Sequence, residues 1–132
     1  MLGAPLRLIA RAALAAMFIK GGYDAATAPG GRVLAAERVG LPAPDLMVRA
    51  NGATMVLAGS ALALGVRSRL AALALLGTLG PTTYAGHPFW STEDPAMRQQ
   101  HLTQFLKNVG MAGGLLLVVA QPARSGSRPD PD

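Results

Sequence analysis

Few side chains in this sequence have chemistry to offer: Lys20, Asn51, His87, Trp90, His101, Lys107 and Asn108 stand out from apolar surroundings. Two imidazoles raise the question of a metal or a haem, since histidine is a frequent ligand of both. No cysteine is present and no glutamate stands at ligand spacing from either histidine, so the pair reads as interfacial or hydrogen-bonded and no metal site is assigned. The missing thiols also exclude disulfides, thiol redox chemistry and iron–sulfur ligation. No Ser-His-Asp arrangement, phosphate-binding glycine loop or paired-carboxylate site is visible. Sequence alone therefore nominates no catalytic residue and leaves open whether the chain is an enzyme.

Lysine is the most telling of these residues. Lys20 lies near the end of an apolar segment, and a helical side chain leans toward its helix N-terminus, here toward the middle of the segment. In lipid a charge costs about 2.5–3.5 kcal/mol on insertion scales, so an intramembrane lysine is expected to have a partner and a role. Snorkelling of its long stem to the interface is the plainer alternative. Asn51 and Asn108 sit just inside helix starts, where an amide glues helices together or contributes to a site. Trp90, beside Phe89, fits an interfacial aromatic anchor.

Four apolar segments must position these groups, at about residues 5–23, 46–66, 70–84 and 104–120. They are rich in Ala, Leu, Gly and Met and too long for ordinary strands, which predicts helices. Arg67, Ser68 and Arg69 leave room only for a tight turn between the second and third, so these form an antiparallel hairpin. The uninterrupted apolar cores are shorter than the roughly 20 residues of a full span, but polar flanks such as Arg49, Tyr84 and Lys107 extend them to about that length. Residues 53–65 offer only Thr54 and Ser60 toward a polar stripe, and residues 109–120 carry no charge. Helices apolar all round belong in lipid or deep inside a larger protein. The expected fold is all-α: an antiparallel bundle of four transmembrane helices, with a short surface helix near residues 32–39 between the first two. Gly110, Gly113 and Gly114 further predict close packing of another helix on the fourth.

Such a topology gathers the end of helix one, the start of helix two, the end of helix three and the start of helix four at one membrane face. Lys20, Asn51, His87, Trp90, Lys107 and Asn108 all fall there, which makes them the candidate ligand-binding set for a quinone or another small hydrophobic molecule. Lys20 is expected within hydrogen-bonding reach of at least one polar residue from another helix or from the loop after the third, with Asn51, His87 and Asn108 the leading candidates.

Composition agrees with lipid as the solvent. The 132 residues are 51% hydrophobic and 14% charged, against about 25% charged in an average soluble domain. A net charge of +5 raises the question of nucleic acid, but three Phe, two Tyr, one Trp and scattered basic residues argue against that partner. A cleaved signal peptide competes for the N-terminus; Arg11 interrupts the apolar run and further apolar segments follow, so a retained helix is expected. One membrane domain over residues 1–121 precedes a Pro-, Ser- and Gly-rich tail, 122–132, expected to be disordered.

The stretch Pro81-Thr82-Thr83-Tyr84-Ala85-Gly86-His87-Pro88-Phe89-Trp90, followed by Phe105-Leu106-Lys107-Asn108 and Gly113-Gly114-Leu115-Leu116, resembles actinobacterial members of the DoxX family. The likeness extends upstream through Arg49-Ala50-Asn51 and the hairpin Gly65-Val66-Arg67-Ser68-Arg69-Leu70. Many family members carry a Glu in the middle of helix two, where this chain reads Thr54-Met55-Val56, so no role is carried over through that carboxylate. The resemblance implies a four-helix inner-membrane protein of a family that is named after a subunit associated with thiosulfate:quinone oxidoreduction, most of whose members have no established activity and some of which are described as membrane scaffolds for redox proteins. Three readings follow: a non-catalytic subunit or scaffold of a redox-associated complex, with redox-protein partners and a homo-oligomer both in view; a binding site for a quinone-like molecule; and a soluble four-helix bundle, which the all-round apolar helices oppose. Both termini are expected in the cytoplasm, with Arg7, Arg11, Arg67, Arg69, Arg124 and Arg128 inside; Lys20, Arg32, Arg38, Arg49, Arg98 and Lys107, an equal six, fall on the other side, but three of these sit within helices and count less in a loop-based rule.

Overall fold

The computed structural model describes residues 3–122. Five α-helices follow one another: α1 (Gly3–Thr27), α2 (Gly31–Arg38), α3 (Pro44–Leu64), α4 (Ser68–Gly86) and α5 (Pro95–Ala120), with a single 3-10 turn at Phe89–Ser91. The structure is all-helical among the described residues, and the short α2 stands where the surface helix was expected. Apart from Pro122, the expected disordered tail lies outside the described residues.

Local chemistry sets the boundaries. Proline opens α3 and α5, where its missing N–H costs nothing, and Asp94 caps α5 by accepting the Met97 N–H at 2.8 Å. This cap starts α5 nine residues before the expected position at Gln104: residues 96–100 (Ala, Met, Arg, Gln, Gln) are polar or mixed but strong helix formers, so they prolong the helix beyond its apolar core. At the other end of α3, Gly65 takes φ 75° and the Val66 N–H returns to the Ala61 carbonyl at 2.8 Å, which stops the helix and turns the chain. Ser68 then begins α4, so the predicted hairpin is present. The hairpin defines one end of the molecule; the opposite end, where α1 and α4 finish, α3 and α5 begin and α2 lies, is the loop end.

Packing runs in sequence: α1 against α3, α3 against α4 and α4 against α5, while α5 touches α1 only lightly and α2 rests on α3 and α4. Phe18, Leu62, Leu75 and Leu115 are fully buried where these helices meet. The tightest crossing is between α1 and α3. A β-carbon on Gly22 would lie 2.6 Å from the Gly52 carbonyl oxygen, and one on Gly59 would lie 2.9 Å from Ile19 Cγ1. Glycine permits this approach because no side chain separates the backbones.

The glycines singled out in the last helix behave differently. Nothing described lies within 4 Å of a β-carbon at Gly110 or Gly113, and Gly114 meets only Leu14, at 3.4 Å. Helix α5 has α4 as its one extensive neighbour, so its glycine face has no helix to receive.

Two helices, α3 and α5, are long and apolar enough to cross a membrane by length and composition. In their most apolar windows only 28% and 17% of residues are buried within the protein, so most of that apolar surface points outward.

Candidate functional site

Helix α4 carries the polar centre of the bundle in two adjacent threonines just after Pro81. Successive helical residues point about 100° apart, so Thr82 and Thr83 address different neighbours. Thr82 accepts from the Asn51 amide of α3 at 3.1 Å, and Thr83 accepts from the Asn108 amide of α5 at 2.9 Å. Each hydroxyl donates in turn to its own helix, Thr82 to the Thr78 carbonyl at 2.8 Å and Thr83 to the Leu79 carbonyl at 2.7 Å. Both asparagines thus act as bridges between helices, the role read first for them, and Asn108 is buried. Neither threonine is among the residues that the sequence nominates; a Thr-Thr pair following proline in an apolar helix is the signal that could have found them.

Beside the Thr83–Asn108 bond, α4 and α5 border an open cleft of about 660 Å³. Leu76, Leu79, Val109 and Ala112 form its apolar walls, Thr83 and Asn108 supply polar groups, and Tyr84, Trp90 and Phe105 close its loop end. Tyr84 and Trp90 stack at 5.6 Å between ring centroids, and Phe89 meets Trp90 and Phe105 edge-on at 5.2 and 5.1 Å. Trp90 therefore belongs, with Phe89, to a four-ring cluster that also includes Tyr84 and Phe105. A flat, mostly apolar molecule bearing one or two hydrogen-bonding groups suits such a lining.

Next to the aromatic cluster, the rings of His87 and His101 lie 5.9 Å apart. His87 Nδ1 is buried without a hydrogen-bond partner. Burial, and then the positive charges of Lys107 and His101, push the His87 imidazole below its ordinary pKa and favour the neutral ring. Lys107 itself is exposed and donates to Gln104 Oε1 at 2.6 Å.

Lys20 departs from expectation. Its ammonium pairs with Asp24 on the same helix, its side chain is 74% exposed, and no hydrogen bond joins it to Asn51, His87 or Asn108. A carboxylate one turn away on its own helix is nearer than any group across the bundle. Lys20 borders a separate shallow groove along α1 and α3 with Tyr23 and Val56. Of the six candidate residues, Trp90 and Asn108 line the cleft, His87 and Lys107 adjoin it, Asn51 braces it from the far side of α4, and Lys20 lies elsewhere. Among the described residues no group of three or more His, Cys, Asp or Glu converges as a metal cluster would.

Comparison with curated proteins and with solved structures finds no match. The DoxX family matches residues 6–88, which takes in nearly all of α1, the α3–α4 hairpin and the threonine pair, and stops at His87-Pro88 before α5. With well over half of its length matched, the chain belongs to the DoxX family.

Proposed function

We propose that the chain is a four-span integral membrane protein, crossed by α1, α3, α4 and α5, that serves as the membrane subunit or scaffold of a redox-associated assembly. The outward apolar surface carries this reading. Leu57, Leu64 and Leu117 are 73%, 77% and 71% exposed, which in water would be a liability and in lipid is the ordinary condition of a spanning helix. Helices α1 and α4 complete their spans with snorkelling flanks, Arg11 at one end of the bundle and Tyr84 at the other. The redox association rests on kinship with the DoxX family. The reading places the protein in the plasma membrane with both termini in the cytoplasm.

Alkaline carbonate extraction tests the membrane assignment, and a spanning protein stays in the pellet. Because the chain has no cysteine, single Ser68→Cys and Thr92→Cys variants report topology directly. An impermeant maleimide added to intact cells is expected to label Cys at position 92 and to reach position 68 only after permeabilisation. The reverse pattern would place the termini outside, and equal labelling of both would remove the four-span arrangement.

The α4–α5 cleft favours a second reading, in which it holds a quinone or another small hydrophobic molecule. Trp90 is the only tryptophan, so its fluorescence reads the cleft without a label. A short-chain quinone added to the purified protein should quench it saturably. Asn108→Leu and Phe105→Ala should weaken quenching, whereas Lys20→Met should not, because Lys20 lies outside the cleft.

A further inference from the structure

Among the described residues the carboxylates are confined to one end of the bundle, while basic side chains stand at both. All five described carboxylates, Asp24, Glu37, Asp45, Glu93 and Asp94, lie at the loop end, where Lys20 pairs with Asp24 and Arg49 with Asp45 at 2.9 Å. At the hairpin end Arg7, Arg11, Arg67 and Arg69 stand without a carboxylate among the described residues. Three of them, Arg7, Arg11 and Arg67, make no side-chain hydrogen bond with the described chain, while Arg69 Nε donates to the Val119 carbonyl at 3.0 Å.

Arg11 locates the level at which these charges sit. Its guanidinium packs on Gly65, where a β-carbon would lie 3.0 Å from the Arg11 terminal nitrogen Nη2, and its Nε is buried without an acceptor. Arg11 is thus level with the hairpin turn, and the Arg69–Val119 bond brings the end of α5 to the same level. The 25 residues of α1 measure about 37 Å, longer than the roughly 30 Å hydrocarbon core, so about its first turn, as far as Arg7, extends past that core into the headgroup layer. Arginine forks bind phosphate oxygens in pairs, and a basic cluster at this depth is drawn to anionic lipid.

We infer that the hairpin end binds the phosphate of an anionic phospholipid, with Arg11 and Arg67 as its principal donors and Arg7 beside them. The site rests on the membrane-spanning reading, but carbonate extraction decides that reading independently of any lipid preference.

The test uses the full chain purified in a neutral detergent, with its Tm measured as phosphatidylglycerol, phosphatidylcholine or inorganic phosphate is added. Phosphatidylglycerol should raise Tm saturably and the other two should not. Arg11→Gln and Arg67→Asn together should remove at least half of that rise; asparagine suits position 67, where φ is 43°. Arg32→Gln, at the loop end, should leave it intact. If the Arg11 variant fails to fold, the exposed pair Arg7→Gln and Arg67→Asn makes the same comparison. Equal stabilisation by phosphatidylcholine, the same rise with inorganic phosphate alone, or an equal loss in Arg32→Gln would each overturn the proposal.

Discussion

Gly22 and Gly52 touch backbone to backbone: a β-carbon on Gly52 would meet the Gly22 carbonyl oxygen at 2.6 Å and the Ala26 nitrogen at 2.8 Å. Neither atom is the end of a side chain that could swing away. The contact therefore fixes how closely α1 and α3 pair, and with it the position of everything that α3 presents to α4.

Replacing either glycine should be costly. Gly22→Ala or Gly52→Ala is expected to lower stability by about 1–3 kcal/mol, the usual range for overpacking. Gly110→Ala, where the added carbon meets nothing described within 4 Å, should change stability by less than about 1 kcal/mol. Thermal unfolding in detergent, with the three variants side by side, checks the ranking.

The Asn108–Thr83 bond joins α5 to the rest of the bundle. A double-mutant cycle with Asn108→Leu and Thr83→Val should return a coupling of about 0.6 kcal/mol, typical of polar pairs between membrane helices. Pairing Asn108→Leu with Thr82→Val should give a coupling near zero, since Thr82 serves Asn51. Equal coupling in the two cycles would mean that the threonines do not divide their neighbours.

Asp94 caps the extended start of α5. Asp94→Ala should cost about 1 kcal/mol, and the loss should be local, because the first turns of α5 stand clear of the apolar core. Hydrogen exchange should quicken at Met97 and Arg98 while amides near Leu115 stay protected.

The lowered pKa of His87 gives stability a pH dependence with a definite sign. Between the folded pKa and the ordinary value of 6.5, the unfolded chain binds more protons than the folded one, so stability is full above 6.5 and falls as pH drops through that window. His87→Asn should flatten this part of the profile. Lys107→Met, which removes one of the charges disfavouring imidazolium, should move the His87 titration upward when followed by the NMR shift of its ring protons.

Much of the architecture was legible in the chain because it depends on local rules. Apolar runs too long for strands, three polar residues between the second and third segments, and prolines around a short amphipathic stretch yield five helices in the observed order whatever they pack against. The gathering of Asn51, His87, Trp90, Lys107 and Asn108 toward the loop end followed from alternating helix direction alone. The start of α5 was misplaced because hydropathy marks the apolar core of a helix, while its true end is set by a cap and by residues of high helix propensity.

What tertiary structure decided is which faces meet. Glycine pairs on different helices look alike in sequence, and only the packing order makes Gly22 and Gly52 a contact while leaving Gly110 and Gly113 open. Lys20 was expected to search across the bundle, yet its rotation about α1 points it outward to Asp24. Thr82 and Thr83 bridge to different helices because α4 packs against both α3 and α5; the tight turn sets α4 beside α3, but no residue spacing seats α5 against Thr83. Sequence sets the depth of a side chain through its position along a helix. Its direction around the helix acquires meaning only when neighbours are in place, and contacts depend on direction.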